Sequence, residues 1–224
     1  MSLQTYMEEL CKEKGCSFRQ LSIDIGITYS NMMDIKNGKV AYASDKLLNK
    51  LSAYLGVSKE EAMYRTLQEE RRRFQLSEAA VKYLSKLYVD KYMITMNVTY
   101  VDPGIPYMLR FAGAAYKKRS GNTLTIVDEW SYIKKRHIDE FIIRDDSSFT
   151  GDWEQIFVYR SSYISNVLAY ALMRVQHYKD IDKLQEYVII FEEKDKEEMR
   201  IAERYLPKKT AFKVKLWIHK TNDY

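Results

Sequence analysis

The sequence predicts an all-α domain of five short helices followed by an α+β domain with a mainly antiparallel sheet. Three observations predict it. Over residues 1–70, short stretches carry apolar residues three or four apart, each closed by a glycine or reopened by Ser or Thr. After Ile94 the apolar period drops to two, the period of a half-buried strand. Between these regimes lies a densely charged stretch, QEERRRFQ at 68–75, which marks a boundary. We therefore divide the chain into a domain at 1–70, a helical connector at 71–92 and an α+β domain at 93–224.

The elements follow in order. Leu3 to Glu13 places Tyr6, Leu10 and Cys11 on one side of a first helix, and Gly15 stops it. Ser17 is a good N-cap for a second helix, because its hydroxyl can accept from an amide one turn later. That helix carries Leu21, Ile23 and Ile25 and ends at Gly26. Thr28 caps a third, from about Tyr29 to Lys36, closed by Gly38. Ser44 or Asp45 opens a fourth with Leu47, Leu48, Leu51 and Leu55 inward. Ser58 and Glu61 form a capping box for a fifth, through Met63 and Leu67. Ser77 restarts a helix with Val81, Leu84 and Leu87. Strands are expected at Ile94–Tyr100, Tyr107–Tyr116, Leu124–Ile133, Tyr187–Phe191 and Phe212–Ile218, with another at Phe141–Ile143. A long helix is expected at Tyr159–His177 and a shorter one at Lys196–Tyr205.

Composition narrows the class. With 224 residues, 46% hydrophobic and 30% charged, the chain has the make-up of a folded globular protein. No apolar run approaches the roughly 18 residues of a membrane span. The N-terminus lacks the basic start and apolar core of a signal peptide, so a cytoplasmic location is expected. Cys11 and Cys16 have no second pair to complete a metal site, and His137, His177 and His219 are scattered. No metal, cofactor or catalytic residue is expected. The two thiols are expected to be reduced and half-buried, with a redox switch as the alternative. The 19 tyrosines suit half-buried faces and point to an extensive interface. Net charge is +5, unevenly spread: residues 1–70 sum to −1 and residues 71–224 to +6.

The segment from Ser17 to Lys39 carries the functional signal. It reads Ser17-Phe18-Arg19-Gln20-Leu21, then Gly26-Ile27-Thr28-Tyr29-Ser30-Asn31-Met32-Met33-Asp34-Ile35, then Asn37-Gly38-Lys39. A capped helix, a tight glycine turn and a second capped helix set the steep angle that puts the second helix in a major groove. Together with Leu47–Leu51 and Tyr54–Ser58, these residues resemble the lambda-repressor/Cro-like (XRE) helix-turn-helix family over about residues 3–68. The resemblance implies that Tyr29, Ser30 and Asp34 face base edges. It implies that Asn31, Asn37 and Lys39 meet phosphates, joined by Ser17 and Thr28 at helix N-termini. Two positions depart from the family pattern. Phe18 and Tyr29 stand where glutamines often brace the recognition helix, and they offer to pack together instead. Lys36 replaces the usual acid and adds local positive charge.

The second domain offers basic clusters: Arg71–Arg73, Lys117–Arg119, Lys134–His137 and Lys208-Lys209. Its last strand alternates Phe212, Val214, Leu216 and Ile218 with Lys213, Lys215, Trp217 and His219. Asp180 or Asp182 with Glu192-Glu193-Lys194 loosely matches the acid/E-x-K arrangement of magnesium-dependent nucleases. Asp128-Glu129 and Asp145-Asp146 read as loop charges. No glycine-rich phosphate loop and no G-x-S-x-G turn is present.

The expected function is a sequence-specific DNA-binding transcriptional regulator, a repressor of bacterial, phage or mobile-element type. A homodimer is expected, because palindromic operators present two half-sites one helical turn apart. The C-terminal domain would serve assembly, a protein partner or a small-molecule effector. Tyr163, Tyr170 and Leu172, beyond the core stripe of the long helix, are the candidates for the dimer contact. The alternatives are a DNA-guided magnesium-dependent nuclease and an antitoxin-like protein-binding regulator.

Overall fold

A computed structural model of the chain describes residues 2–103, 108–119, 123–141 and 153–219. The chain divides into two compact units, residues 1–96 and 97–224.

The first unit is helical: α1 (Ser2–Lys14), α2 (Phe18–Ile25), α3 (Tyr29–Lys36), α4 (Asp45–Leu55), α5 (Lys59–Thr66), α6 (Gln68–Phe74) and α7 (Glu78–Val89). The expected caps are formed. Ser17 accepts from the Gln20 amide at 3.2 Å, Thr28 from Asn31 at 3.3 Å, Ser44 from Leu47 at 3.3 Å and Ser58 from Glu61 at 3.0 Å. Each hydroxyl satisfies a donor that the first helical turn would otherwise leave open. The reciprocal half of the Ser58 capping box is not made, because the Glu61 carboxylate instead accepts from Arg65 at 3.0 Å. Leu3, Met7, Leu21, Met32, Leu48, Leu51 and Met63 are fully buried and hold the helices together. Helix α7 packs on α5, and its Tyr88 hydroxyl donates to the Ala43 carbonyl at 3.0 Å.

Strand β1 (Tyr92–Val101) spans the division. The second unit continues with β2 (Met108–Lys117), β3 (Leu124–Glu129), α8 (Trp130–Phe141), α9 (Trp153–Gln176), β4 (Leu184–Phe191), α10 (Lys196–Arg204) and β5 (Lys213–Ile218). The strands form one sheet in the order β1-β2-β3-β4-β5. Strands β2 and β3 are antiparallel, with Gly113 opposite Val127. Strands β3 and β4 are parallel, with Ile126 opposite Tyr187, and so are β4 and β5, with Ile189 opposite Leu216.

The sheet is therefore mixed, not mainly antiparallel. The physical reason is the connections. A short link reverses the chain between β2 and β3. Helical crossovers, α8 with α9 and then α10, bring β4 and β5 back in the direction of β3. All six residues of β3 and the run Tyr187–Phe191 are buried, as strands covered on both faces must be. Two further expectations change. The stretch Leu124–Ile133 is not one strand: it turns helical at Trp130, with no glycine or proline to mark the switch. The expected strand at Phe141–Ile143 begins on the residue that closes α8, and the rest lies outside the described residues.

The apolar stripe of α9, Ile164, Val167, Leu168, Ala171 and Val175, packs with Leu109, Phe111, Ile126, Tyr187, Ile189 and Phe191 from the sheet. Tyr170, expected at a dimer contact, is buried in this core, and Tyr163 and Leu172 pack partly against it. One charge pair sits inside the core. Arg174 donates to Asp128 Oδ2 at 2.7 Å and to the Arg110 carbonyl at 2.5 Å, and Tyr187 donates to the same Asp128 oxygen at 3.0 Å. The Glu129 amide donates to Asp128 Oδ1 at 2.9 Å. The guanidinium lies over Phe111, Tyr132 and Tyr170, at 5.1, 5.5 and 5.6 Å from the ring centres. Burial opposes the Arg174 charge, but the Asp128 carboxylate together with Tyr187, Tyr170 and Tyr132 outweighs it and holds the guanidinium above its ordinary pKa. Asp128, read from sequence as a loop charge, is instead a core residue at the end of a strand.

Candidate nucleic-acid interface

Helices α2 and α3 meet through the turn Gly26-Ile27-Thr28. Gly26 has φ +76°, a left-handed conformation that a side chain would strain. Its amide donates to the Ile23 carbonyl at 3.0 Å, and the Ile27 amide donates to Ser22 at 2.9 Å. These two bonds close the C-terminus of α2 and fix the exit direction. Leu21 and Ile25 from α2 and Met32 and Ile35 from α3 are buried. With those four inward, the rest of α3 is outward. Tyr29, Ser30 and Asn31 are exposed in succession on the first turn of the helix, the part that reads base edges in this geometry.

The sequence-predicted residues lie on α2, α3, their caps and the segment after α3. Ser17 and Thr28 are exposed at the N-termini of α2 and α3, where the helix dipole favours an anion. Asn37 is exposed at the C-terminus of α3. Asp34 and Lys39, expected to touch a base and a phosphate respectively, form an ion pair with each other at 3.2 Å. Both side chains are well exposed, and such pairs contribute only about 0–1 kcal/mol. A phosphate can therefore draw Lys39 away, and Asp34 is then open to accept. The expected packing of Phe18 on Tyr29 does not form. Phe18 instead lies under the Lys36 ammonium, at 5.2 Å, and Tyr29 is half exposed. Lys36 thus brings the last turn of α3 against the first turn of α2.

Two lysines were not anticipated from sequence. Lys50 on α4 donates to the Gly26 carbonyl, placing a cation at the C-terminus of α2. Lys46 stands one turn earlier, and both line a cleft of about 330 Å³ beside Thr28, Asn31, Asp34 and Ser44. The N-termini of α3 and α4 border the same cleft, through their caps Thr28 and Ser44. The domain's near-zero net charge therefore conceals a local positive face. The signal available in the sequence was the four-residue spacing of Lys46 and Lys50, which puts them on one side of a helix.

The second unit offers less. Lys117, Lys118 and Arg119 are exposed, as are Lys208 and Lys209. The cluster at 134–137 leaves Lys135 exposed but not all four residues open. Lys134 is paired with Asp195 at 2.9 Å and Glu198 at 2.8 Å, while His137 is buried with its ring against Tyr163 and Tyr170. On β5, Val214, Leu216 and Ile218 pack on the core, and Trp217 stacks with His219 at 5.7 Å. The nuclease-like residues pair locally, the E-x-K acid and lysine with each other and the aspartate with its own neighbours. Glu192 pairs with Lys194 at 2.7 Å, and Asp180 binds Lys183 and Tyr116 at 2.7 and 2.9 Å. Among the described residues no group of three or more His, Cys, Asp or Glu is arranged to hold a metal ion, and no helix is long and apolar enough to cross a membrane. Asp145 and Asp146 lie outside the described residues.

Residues 7–68 match the family model of the Cro/C1-type HTH DNA-binding domain, which agrees with the helix order, the glycine turn and the exposed third helix. That match covers under a third of the chain, and the C-terminal region has no family match. No curated protein and no solved structure matches the chain.

Proposed function

We propose that the protein is a sequence-specific transcriptional regulator, a dimeric repressor of bacterial, phage or mobile-element type that works in the cytoplasm. The observation that carries this reading is the surface of α3 within a Cro/C1-type HTH domain. Tyr29, Ser30 and Asn31 are exposed together while Met32 and Ile35 anchor the helix from behind. In this reading Tyr29, Ser30 and Asp34 read bases. Ser17, Thr28, Asn31, Asn37 and Lys39 hold phosphates, with Lys46 and Lys50 adding charge beside them. Residues 97–224 serve assembly, or bind a protein partner or a small-molecule effector.

The test is binding of the protein to DNA from upstream of its own gene, by gel shift at fixed salt. Ser30→Ala relaxes discrimination at one base pair, and Asn31→Ala weakens all sequences alike. The double variant is expected to lose roughly tenfold or more in operator affinity. Equal affinity of the double variant and the parent overturns the assignment of α3.

A further inference from the structure

The turn between α1 and α2 brings two sulfurs together. Gly15, at φ +61°, ends α1; its amide donates to the Lys12 carbonyl at 3.2 Å, and the Cys16 amide donates to the Cys11 carbonyl at 3.0 Å. This pair of bonds is the Schellman closure, in which the side chain two residues past the helix meets the side chain one turn inside it. That contact is usually between two hydrocarbons. Here both partners are cysteines, so the closure sets one thiol beside the other. Cys11 is buried and Cys16 is half exposed. Burial and the neighbouring Cys16 push the Cys11 thiol up from its ordinary pKa, while the Lys36 charge reaches it from α3.

We propose that Cys11 and Cys16 are a modification site, closing to a reversible intramolecular disulfide when the protein meets hydrogen peroxide. Cys16, the accessible sulfur, attacks one peroxide oxygen. The O–O bond breaks, a sulfenic acid forms on Cys16, and the other oxygen leaves as water. Cys11 then attacks the Cys16 sulfur, the S–O bond breaks, and a second water leaves as the S–S bond forms. Two thiols lose two electrons in all, and peroxide gains them. Restoration needs a reducing thiol, which exchanges with the bridge. Cys residues this near in space and backbone need little movement to reach the S–S length of about 2.05 Å.

The position of the bridge gives it a consequence. Cys16 directly precedes Ser17, the cap of α2, and the bridge draws that residue toward α1. A shift there moves a phosphate-facing helix end in each half-site, and DNA affinity is expected to fall roughly tenfold. This consequence rests on the DNA-binding reading above; the bridge itself does not.

The experiment treats the full chain with hydrogen peroxide, quenches with iodoacetamide and weighs the intact protein. The expected product takes up no alkyl group, is lighter by two hydrogens, stays a single chain, and reverts with dithiothreitol. Cys11→Ser under the same treatment is expected to leave a sulfenic acid on Cys16, trapped by dimedone. Two alkylated cysteines after peroxide, or a bridge between two chains, overturns the proposal. In the DNA arm, oxidised protein is expected to bind its upstream DNA roughly tenfold more weakly, with Cys16→Ser insensitive to peroxide. A bridged protein of unchanged affinity overturns the switch. A reduced protein that binds no DNA overturns the earlier reading, and the mass measurement then decides the bridge alone.

Discussion

Arg174→Met is expected to destabilise the second unit by about 3–5 kcal/mol. Arg174 is 2% exposed and Asp128 is fully buried. Removing the guanidinium leaves a carboxylate in the core, with only the Tyr187 hydroxyl and the Glu129 amide to hold it. It also vacates the space over Phe111, Tyr132 and Tyr170. Methionine fills part of that space without restoring charge. The double variant Asp128→Asn with Arg174→Met removes both charges and is expected to recover most of the loss, because an uncompensated buried charge costs more than a missing pair. Urea unfolding followed by tryptophan fluorescence checks this. Trp130, Trp153 and Trp217 all lie within residues 97–224, so the signal reports on that unit alone. A single variant as stable as the parent contradicts the account of the core.

Leu21→Ala is expected to cost the first unit about 2–5 kcal/mol, the range for emptying a fully buried leucine site. Leu21 is 0% exposed, on a helix that packs against α3, where Met32 and Ile35 are also buried. The cavity loosens the α2–α3 angle, so DNA binding falls although Leu21 touches no DNA. Ile23→Ala, two residues on, is the control. Ile23 is 64% exposed, and its truncation is expected to change stability by less than about 0.5 kcal/mol. Protection of the α2 and α3 amides from hydrogen exchange separates the two variants.

The first unit was legible because its instructions are local. Five of its helices, α2 to α5 and α7, start at a hydroxyl that caps within three residues, and helix ends at Gly15, Gly26, Gly38 and Gly56 have positive φ. The second unit was less so, because strand direction is set by distant connections. Nothing within Val188–Phe191 states that its neighbours run parallel, though its unbroken apolar run is what parallel burial requires. The switch from β3 to α8 at Trp130 was hidden by an apolar sequence that suits either element. Arg174 falls on the core face of α9 between Ala171 and Val175, and an isolated cation there was the available sign of a buried partner. In the candidate interface, the outward placing of Tyr29, Ser30 and Asn31 was implied by the family resemblance. The Asp34–Lys39 pair and the approach of Lys50 to Gly26 were not, since both depend on how α3 exits and α4 returns.

Helix α3 and its flanking lysines are expected to hold DNA as a two-fold pair. The most direct measurement is operator affinity against salt concentration. Lys39, Lys46 and Lys50 in each of two copies make six cations, so log affinity is expected to fall against log salt with a slope of about −5. Lys46→Ala removes two of them and is expected to make the slope shallower by about two. A slope near zero, or one that Lys46→Ala leaves unchanged, contradicts the account.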